Sequence, residues 1–583
     1  MKPKPPKTAT VAAAGPEASR RFDLLYAAAV VLAGFAIYWR TLAGPFLFDD
    51  ADLLEVTSAV RNKNLWIILT GPRPLLILSF AFNHWLTGWN PFYFHLVSIL
   101  LHVLNTLILW RVARLICDSA GLAAWLAPAA RRLIAVVAPL AFLAHPIQTE
   151  SAGYISSRSE LLAATFYLLG MLLFLSSWRE KRRWTTAVLL AFLYGCAVSS
   201  KQHALTLPGA ILLLDYLFLA AQDRRRLARN WPTYALLGAE MALGGVVVVG
   251  AVLNVPSAGF SLQEVTWKVY LFTQFRMYCL YAIMLILPLG LNADHHILPS
   301  RTLLDHGAGF ALAGILAVLA ATIYWRRRHA LVCFGVLFFF LTLFPTSSFY
   351  PLLDYAAERR LYLPSIGFFL AALALAVERL RSLGALRVGL GLLLMACAVA
   401  AYVRNRVWED GLALWQDAAQ KSPAKWRAHN NLGFEYAQRG RFAEAEQAFR
   451  RAAELVPQKS RSHAEILSSL GSTYANRRLY AEAAATYQIA LKINPDIPTL
   501  WTNLAIAEVR LNRPEGWDHF RHAIRMNHMA WEPYFARGNL YVELGRYEEA
   551  IRDYQRVLYL NKEHADAQNN LRAARGLQGQ KKP

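Results

Sequence analysis

Apolar residues follow two different rhythms along this chain. Between residues 24 and 404 they gather into long runs separated by short polar stretches, as in 24–39, 235–253 and 330–344. Such runs approach the ~20 residues a helix needs to cross a bilayer. After Arg404 the runs stop, and apolar positions return every three or four residues among charged ones, the mark of amphipathic helices. The pattern predicts an all-α protein: a basic cytoplasmic N-terminus over 1–21, a polytopic transmembrane helix bundle over 22–404, and a polar helical domain over 405–583.

The polar domain repeats itself. Gly433, Tyr436, Ala445, Phe449, Ala452 and Pro457 recur at the same internal offsets as Gly471, Tyr474, Ala483, Tyr487, Ala490 and Pro495. Trp501, Leu504, Ala505, Gly516, Phe520 and Ala523 make a third copy, and Gly538, Tyr541, Ala550 and Tyr554 begin a fourth. Small residues let paired helices approach, aromatics fill the gap, and proline stops the second helix. This is the tetratricopeptide pattern, and it predicts an α-solenoid with a peptide- or protein-binding surface. Trp415, Ala418 and Pro423 read as a leading half-repeat, and "HADAQNNLRAARG" as a solvating cap.

A formal net charge of +22 would suit nucleic acid, but its placement argues against that partner. Residues 1–404 hold 35 Lys and Arg against 19 Asp and Glu, whereas 405–583 hold 26 against 20. Most of the excess therefore lies in short clusters between apolar runs, which is the positive-inside arrangement. The clusters are Arg111 and Arg114 with Arg131 and Arg132, "REKRR" at 179–183, "DRRRLAR" at 223–229, "RRR" at 326–328 and "ERLRSLGALR" at 378–387. Placing them all inside gives about eleven crossings and a C-terminus outside, provided that 267–290, interrupted by Arg276, is re-entrant or lies at the interface. Twelve crossings with a cytoplasmic C-terminus is the alternative. The five cysteines lie in or beside apolar runs without metal-ligand spacing, and read as small buried residues.

Ionisable groups in such a setting are functional candidates, because burying them is costly. Asp49 and Asp50 end "GPFLFDD" just beyond the first span; a hydrated loop end is the bland reading, a general base the sharp one. Arg73 precedes an aromatic-rich segment suited to the interface. His95, Ser98, His102 and Asn105 form one polar stripe on an apolar helix, for interhelical hydrogen bonding or for lining a cavity. His145, Glu150, Arg158 and Glu160 crowd one short loop. Glu358, Arg359 and Arg360 abut a span, where a guanidinium could hold a phosphate or simply anchor the helix.

Together, "FLFDD", "RPLLILSFAFNHWLTGWNPFYFH", "AHPIQTESAGYISSRSELLAA", "SKQHALTLPGAILLLDY" and "AERRLYLPSIGF", followed by the repeats, resemble the transmembrane and tetratricopeptide-repeat O-mannosyltransferase family and its bacterial relatives. The resemblance covers nearly the whole chain beyond the first twenty or so residues. It implies a GT-C glycosyltransferase fold with its active site on the extracytoplasmic face and a polyprenyl-phosphate sugar as donor. By that resemblance Asp49 or Asp50 is the catalytic base. Arg359 and Arg360, with Lys201 and Arg158, are the cations for the departing phosphate. Glu358 would orient Arg359, and Tyr362 would share its face.

The expected function is thus transfer of a hexose, mannose by resemblance, from polyprenyl phosphate to an acceptor hydroxyl, with Ser or Thr of proteins held by the repeats as one acceptor class. The other readings are a glycan or lipid-linked polysaccharide transferase of the same fold, and a non-catalytic repeat platform anchored in the membrane. Expected partners are the lipid-linked sugar, a protein or glycan acceptor, and membrane lipids. Metal dependence stays open between none and a divalent cation. The expected location is the inner membrane, with the repeats in the periplasm.

Overall fold

Proline starts many of the long helices, its fixed φ suiting a first turn whose amide needs no partner. Helices α2 (Pro74–Thr87), α3 (Pro91–Cys117), α4 (Pro128–Ala144) and α9 (Pro364–Arg379) all begin this way. The Asn90 side chain also accepts from the Phe92 amide to cap α3 (3.1 Å). With them stand α1 (Pro16–Tyr38), α5 (Arg158–Ser177), α6 (Arg183–Ser200), α7 (Trp267–Ile286), α8 (Ala330–Leu343) and α10 (Leu383–Arg404). These belong to a computed structural model that describes residues 16–48, 50, 60, 64–71, 73–123, 125–177, 183–220, 227–252, 265–380 and 382–581. Asp49, residues 1–15, and much of the clusters at 179–183 and 223–229 lie outside the described residues. The described residues are helical with connecting turns and contain no β-strand.

The chain divides into two compact units, Met1–Leu414 and Trp415–Pro583. Arg404, Asn405 and Trp408 stay with the first unit through contacts described below.

In the first unit α3 packs against α1, α4 and α5, burying Leu109, Val112 and Ile116 with Phe142, Leu168 and Met171. Lipid is as apolar as these side chains, so close packing and hydrogen bonds hold such a bundle more than water exclusion does. The α8–α9 contact shows this directly. Gly335 and Gly367 face each other so closely that a Cβ on either would overlap the other's carbonyl oxygen. Helix α10 and the helix Ala308–Trp325 instead expose almost all their apolar side chains, as lipid-facing helices do.

Among the described residues, seven helices are long and apolar enough to cross a membrane, or eight if the bent pair Pro128–Ala144 and Pro146–Gly153 is one span. Other apolar runs, such as 330–344, fold as shorter helices; α8 has 14 residues. The chain is a multi-pass membrane protein. Over 267–290, expected to be re-entrant or to lie at the interface, α7 is one unbroken helix of 20 residues. Arg276 does not break it, since its guanidinium reaches out to the Leu298 carbonyl (2.8 Å) and Ser300 (3.1 Å). Tyr270, Gln274 and Tyr281 of α7 all bond the segment 346–357, which runs beside it.

Charge separates the two ends of the bundle. At one end Asp23 pairs with Arg111 (3.2 Å) and Arg114 (2.6 Å), Arg131 caps the Cys117 carbonyl, and His329 meets Glu378. The opposite end carries Asp50, Glu150, Glu358, Arg359 and Arg404, and there α10 finishes.

The second unit is a stack of antiparallel helix pairs: Trp426–Gln438 with Phe442–Leu455, Arg461–Asn476 with Tyr480–Ile493, Pro498–Arg510 with Glu515–Met526, and Glu532–Glu543 with Tyr547–Leu560. Helix Ala565–Lys581 follows them. A Cβ on Gly433, Gly471 or Gly538 would lie 2.7, 2.6 or 2.9 Å from the ring of Phe449, Tyr487 or Tyr554. Only glycine lets the aromatic of the second helix seat there. The third pair has Ala505 at the glycine position and Gly516 opposite, where a Cβ would lie 2.8 Å from the Ala505 carbonyl.

Candidate active site

The acidic end is built from four segments of the first unit. The first enters through Phe48, whose φ of 54° is left-handed, a conformation that bulky side chains resist and that clusters at functional sites. Asp50 follows, almost fully buried. One of its oxygens accepts from the Leu47 amide (2.9 Å), the other from the amide (2.8 Å) and hydroxyl (2.6 Å) of Ser156. The loop is thereby pinned to the turn that precedes α5.

That turn continues into Arg158, which is fully buried. Its guanidinium donates to Asn83 (3.0 Å) and to the Phe94 carbonyl (2.7 Å), and lies over the rings of Phe80 (4.6 Å) and Phe94 (5.3 Å). Arg158 therefore fastens α2 to α3. Expected as a phosphate ligand, it is placed in the core instead, since planar donors and apolar rings suit guanidinium burial.

Arg359 stays partly reachable, its side chain 21% exposed. Its Nη1 donates to Glu150 at 2.6 Å and its amide to the other Glu150 oxygen at 2.8 Å. Burial disfavours the charge, but Glu150, Tyr154 and Asp354 more than offset it, so its proton is held more firmly than usual. Glu358 does not orient Arg359, as expected from sequence. In the tight 3-10 turn Glu358–Leu361 successive side chains point a third of a turn apart. Glu358 faces inward to the Asn292 amide, His295 (3.1 Å) and Arg404 (3.5 Å). Burial opposes its ionisation, yet Arg404 and His295 keep its carboxyl below the usual range. Arg360 does not dangle: it donates to the Asp354 (2.7 Å) and Tyr355 (3.3 Å) carbonyls.

Lys201 pairs with Glu160 at 2.5 Å, and His203 meets the other Glu160 oxygen at 3.3 Å. Arg73 lies within electrostatic reach of both Lys201 and His203, and Arg359 within reach of Lys201 and Glu160. Arg73 is also left-handed, φ 53°, at the start of α2. The structure thus brings Arg73, Glu150, Glu160, Lys201 and Arg359 into one charged cluster. Tyr154 joins it to the acidic loop, within electrostatic reach of Arg359 while its ring meets Phe48 edge-on at 5.9 Å.

The polar stripe on α3 serves the bundle. Asn105 donates to the Tyr362 hydroxyl (3.1 Å), which meets His102 Nδ1 at 2.8 Å, and His102 Nε2 meets the Leu143 carbonyl at 3.3 Å. A proton on Nε2 satisfies every partner in this chain. Asn105 also donates to the Leu161 carbonyl and accepts from Thr165. His102, Asn105 and Tyr362 thus tie α3, α4 and α5 to the turn before α9, and Tyr362 lies in the core, away from the Arg359 face assigned to it by sequence. His95 packs against the Gly44 backbone, and the His145 ring accepts from the Ile147 amide (3.2 Å).

Sequence reasoning passed over Tyr154, Ser156, His203, Asp354 and Trp408. The first three lie inside motifs quoted for other residues, but Trp408 follows the last apolar run and gives no signal. Among the described residues no three His, Cys, Asp or Glu side chains are grouped to hold a metal ion.

Tetratricopeptide-repeat models match residues 426–459, 468–516 and 531–564. The human protein O-mannosyl-transferase TMTC1 is 28% identical over 517 residues, covering 76% of this chain and 56% of its own length. Protein O-mannosyl-transferase Tmtc3 of Drosophila melanogaster is 27% identical over 558 residues, with 81% and 59% covered. Mouse TMTC3 is 24% identical over 609 residues, with 92% and 64% covered. The chain thus spans 56 to 64% of the length of these curated relatives. Among solved structures, the first TPR of Spaghetti (RPAP3) bound to an HSP90 peptide is 30% identical, with 21% of this chain and 96% of that one covered and a TM-score of 0.19. MamA is 17% identical, with 27% and 89% covered and a TM-score of 0.23. The match to the curated transferases extends over as much as 92% of this chain and so takes in both the membrane bundle and the repeats; across that length the chain is similar to proteins named protein O-mannosyl-transferase.

Proposed function

We propose that this protein is a membrane mannosyltransferase that moves mannose from polyprenyl-phosphate mannose to a Ser or Thr hydroxyl on the extracytoplasmic face. The observation that carries the reading is one charged cluster, with Arg359 reachable and oriented by Glu150, next to a pinned acidic loop. The names of the relatives supply the sugar and the protein acceptor.

The chemistry asks for a base and for cations. As the acceptor oxygen attacks the anomeric carbon, its proton passes to a carboxylate, the bond from that carbon to the phosphate oxygen breaks, and polyprenyl phosphate departs with growing negative charge. Asp50 already receives three hydrogen bonds, which favour its anion and weaken it as a base. Asp49 is therefore assigned the base and Asp50 the anchor of the loop. Arg359 and Lys201 are assigned the departing phosphate, with Arg73 beside them at the entrance. The repeats are assigned to hold the acceptor protein.

The orientation follows from charge. With the Arg111, Arg114 and Arg131 end in the cytoplasm, the acidic end faces outward, and α10 delivers the repeats to that side. In a bacterial cell this is the inner membrane with a periplasmic repeat domain. The test is transfer by the purified full-length protein from synthetic polyprenyl-phosphate mannose to envelope proteins, read by intact mass. A mass gain of one hexose on protein supports the reading. Hexose appearing on polysaccharide alone would move the acceptor to glycan, and no transfer to any acceptor would favour the anchored platform.

A further inference from the structure

Beyond the last long helix the chain does not simply turn toward the repeats. After α10 come a 3-10 turn, Asn405–Trp408, and then Glu409. Four residues of this short segment, Arg404, Asn405, Trp408 and Glu409, each reach a different stretch of the first unit. Arg404 meets Glu358, the neighbour of Arg359, at 3.5 Å. Asn405 is fully buried and donates to the Ile37 carbonyl at the end of α1 (2.8 Å). Glu409 pairs with Arg40 at 2.6 Å. Trp408 is 2% exposed, and its ring lies 6.0 Å from that of Tyr154, nearly parallel at 21°.

Two glycines make room for Trp408, and both lie in the segments that carry the acids. A Cβ on Gly44 would come 2.7 Å from the Trp408 carbonyl oxygen, and one on Gly153 would come 3.2 Å from its indole Cγ. Gly44 opens the stretch that leads to Asp50. Gly153 stands between Glu150 and Ser156. The indole therefore wedges between the acidic loop and the turn to which Asp50 is pinned, and Tyr154 continues the contact to Phe48. A helix end that needed only capping would not use four residues to grip four separate segments.

We infer that the segment Arg404–Glu409 is a positioning strap for the transfer site, with Trp408 setting the spacing between the acidic loop and the Tyr154 turn. The inference rests on the reaction proposed above for its kinetic effect. It makes the stretch of chain that leads into the repeats part of the site's framework. Trp408 is a positioning residue, acting through Gly44, Gly153 and Tyr154.

The test compares full-length wild type with Trp408→Ala, Trp408→Phe, Gly153→Ala and the double variant Gly153→Ala with Trp408→Phe. A misplacement of about 1 Å in a catalytic arrangement costs ~10²-fold. Trp408→Ala should accordingly lower kcat by about 10- to 100-fold while the KM for donor stays near wild type. Trp408→Phe should retain more activity than Trp408→Ala. Gly153→Ala pushes the indole outward and should also lower kcat; the smaller ring of the double variant should recover part of that loss, which general destabilisation would not do. Amide hydrogen exchange, a readout independent of turnover, should rise in Trp408→Ala at residues 44–48 and 153–158 and stay unchanged in the other segments of the bundle. Wild-type kcat in Trp408→Ala, additive losses in the double variant, or exchange that rises throughout the bundle would each overturn the strap. If wild type itself transfers nothing, the proposed reaction fails, and the exchange pattern alone decides the strap.

Discussion

Glu150 takes hold of Arg359 twice, through Nη1 at 2.6 Å and through the backbone amide at 2.8 Å, across 209 residues of sequence. One carboxylate thus fixes both the position of the turn and the direction of the guanidinium. The second Nη lies 3.9 Å from Asp354, beyond hydrogen-bonding distance.

Substitutions at this pair should separate charge from geometry. Arg359→Lys keeps the charge but loses the planar fork, and Arg359→Ala loses both. Charge-assisted hydrogen bonds are worth roughly 1.5–3 kcal/mol, or about 10- to 100-fold in rate. The expected order of kcat/KM for the lipid donor is wild type, then Arg359→Lys, then Arg359→Ala, with Glu150→Gln also impaired because the guanidinium is no longer aimed. Steady-state kinetics with a synthetic donor would show it. Donor kinetics unchanged in Arg359→Ala would leave the arginine a mere helix anchor.

The two aspartates should fail differently. Asp49→Asn is expected to lower turnover by ~10²–10⁴-fold with little change in thermal stability, as loss of a general base does. Asp50→Asn should lower the melting temperature as well as activity, because an amide cannot accept from all three donors that hold the loop to Ser156. Paired melting and transfer measurements decide between them. A double variant with near-normal transfer would rule out the mechanism.

Lys201 gives the site a pH limit. Burial pushes its ammonium down to about 8, with Glu160 opposing the fall. The group is charged below that pH and neutral above it, so donor binding should weaken as pH rises through about 8. Lys201→Arg keeps its charge far beyond that range and should move the alkaline limb of kcat/KM upward. A limb that stays in place would remove Lys201 from donor binding.

Tyr362→Phe tests the bundle network. Removing the hydroxyl leaves His102 and Asn105 short of a partner, and hydrogen bonds between membrane helices are worth about 0.6–2 kcal/mol. A lower melting temperature with kcat and donor KM within about twofold of wild type is expected for such a loss. A large rise in KM at unchanged melting temperature would return Tyr362 to the substrate cavity.

Topology is open to a direct check. An alkaline phosphatase fused after Pro583 should be active, and a cytosolic fluorescent fusion at the same place dim. The reverse pair would put the repeats in the cytoplasm and the acidic end with them.

Much of the architecture is legible in the sequence because it rests on local periodicity. The repeat positions predicted from Gly433 and Gly471 are the places where aromatic rings seat, and the long apolar runs become helices. The site was legible only as a list of residue types. Which carboxylate orients Arg359 depends on a contact 209 residues away, and neither Glu358 nor Glu150 differs locally in a way that reveals it. Arg158 and Lys201 looked alike as cations beside spans; only burial against Phe80 and Phe94 separates the first from the second. Trp408 carries no periodic signal, since its role comes from two glycines in other segments.

The exchange of Ala505 and Gly516 in the third helix pair has a bearing on recombination. In the other pairs the first helix contributes the glycine and the second contributes alanine, whereas here the roles are reversed. A hybrid joining helix Pro498–Arg510 to the second helix of another pair would set the Ala505 methyl against the aromatic ring that glycine accommodates in those pairs and force the helices apart. Joining Glu515–Met526 to another first helix would set glycine against glycine and leave a void. Evolution or design can therefore shuffle this array two helices at a time, but not one, and homologous crossovers that survive should fall between pairs.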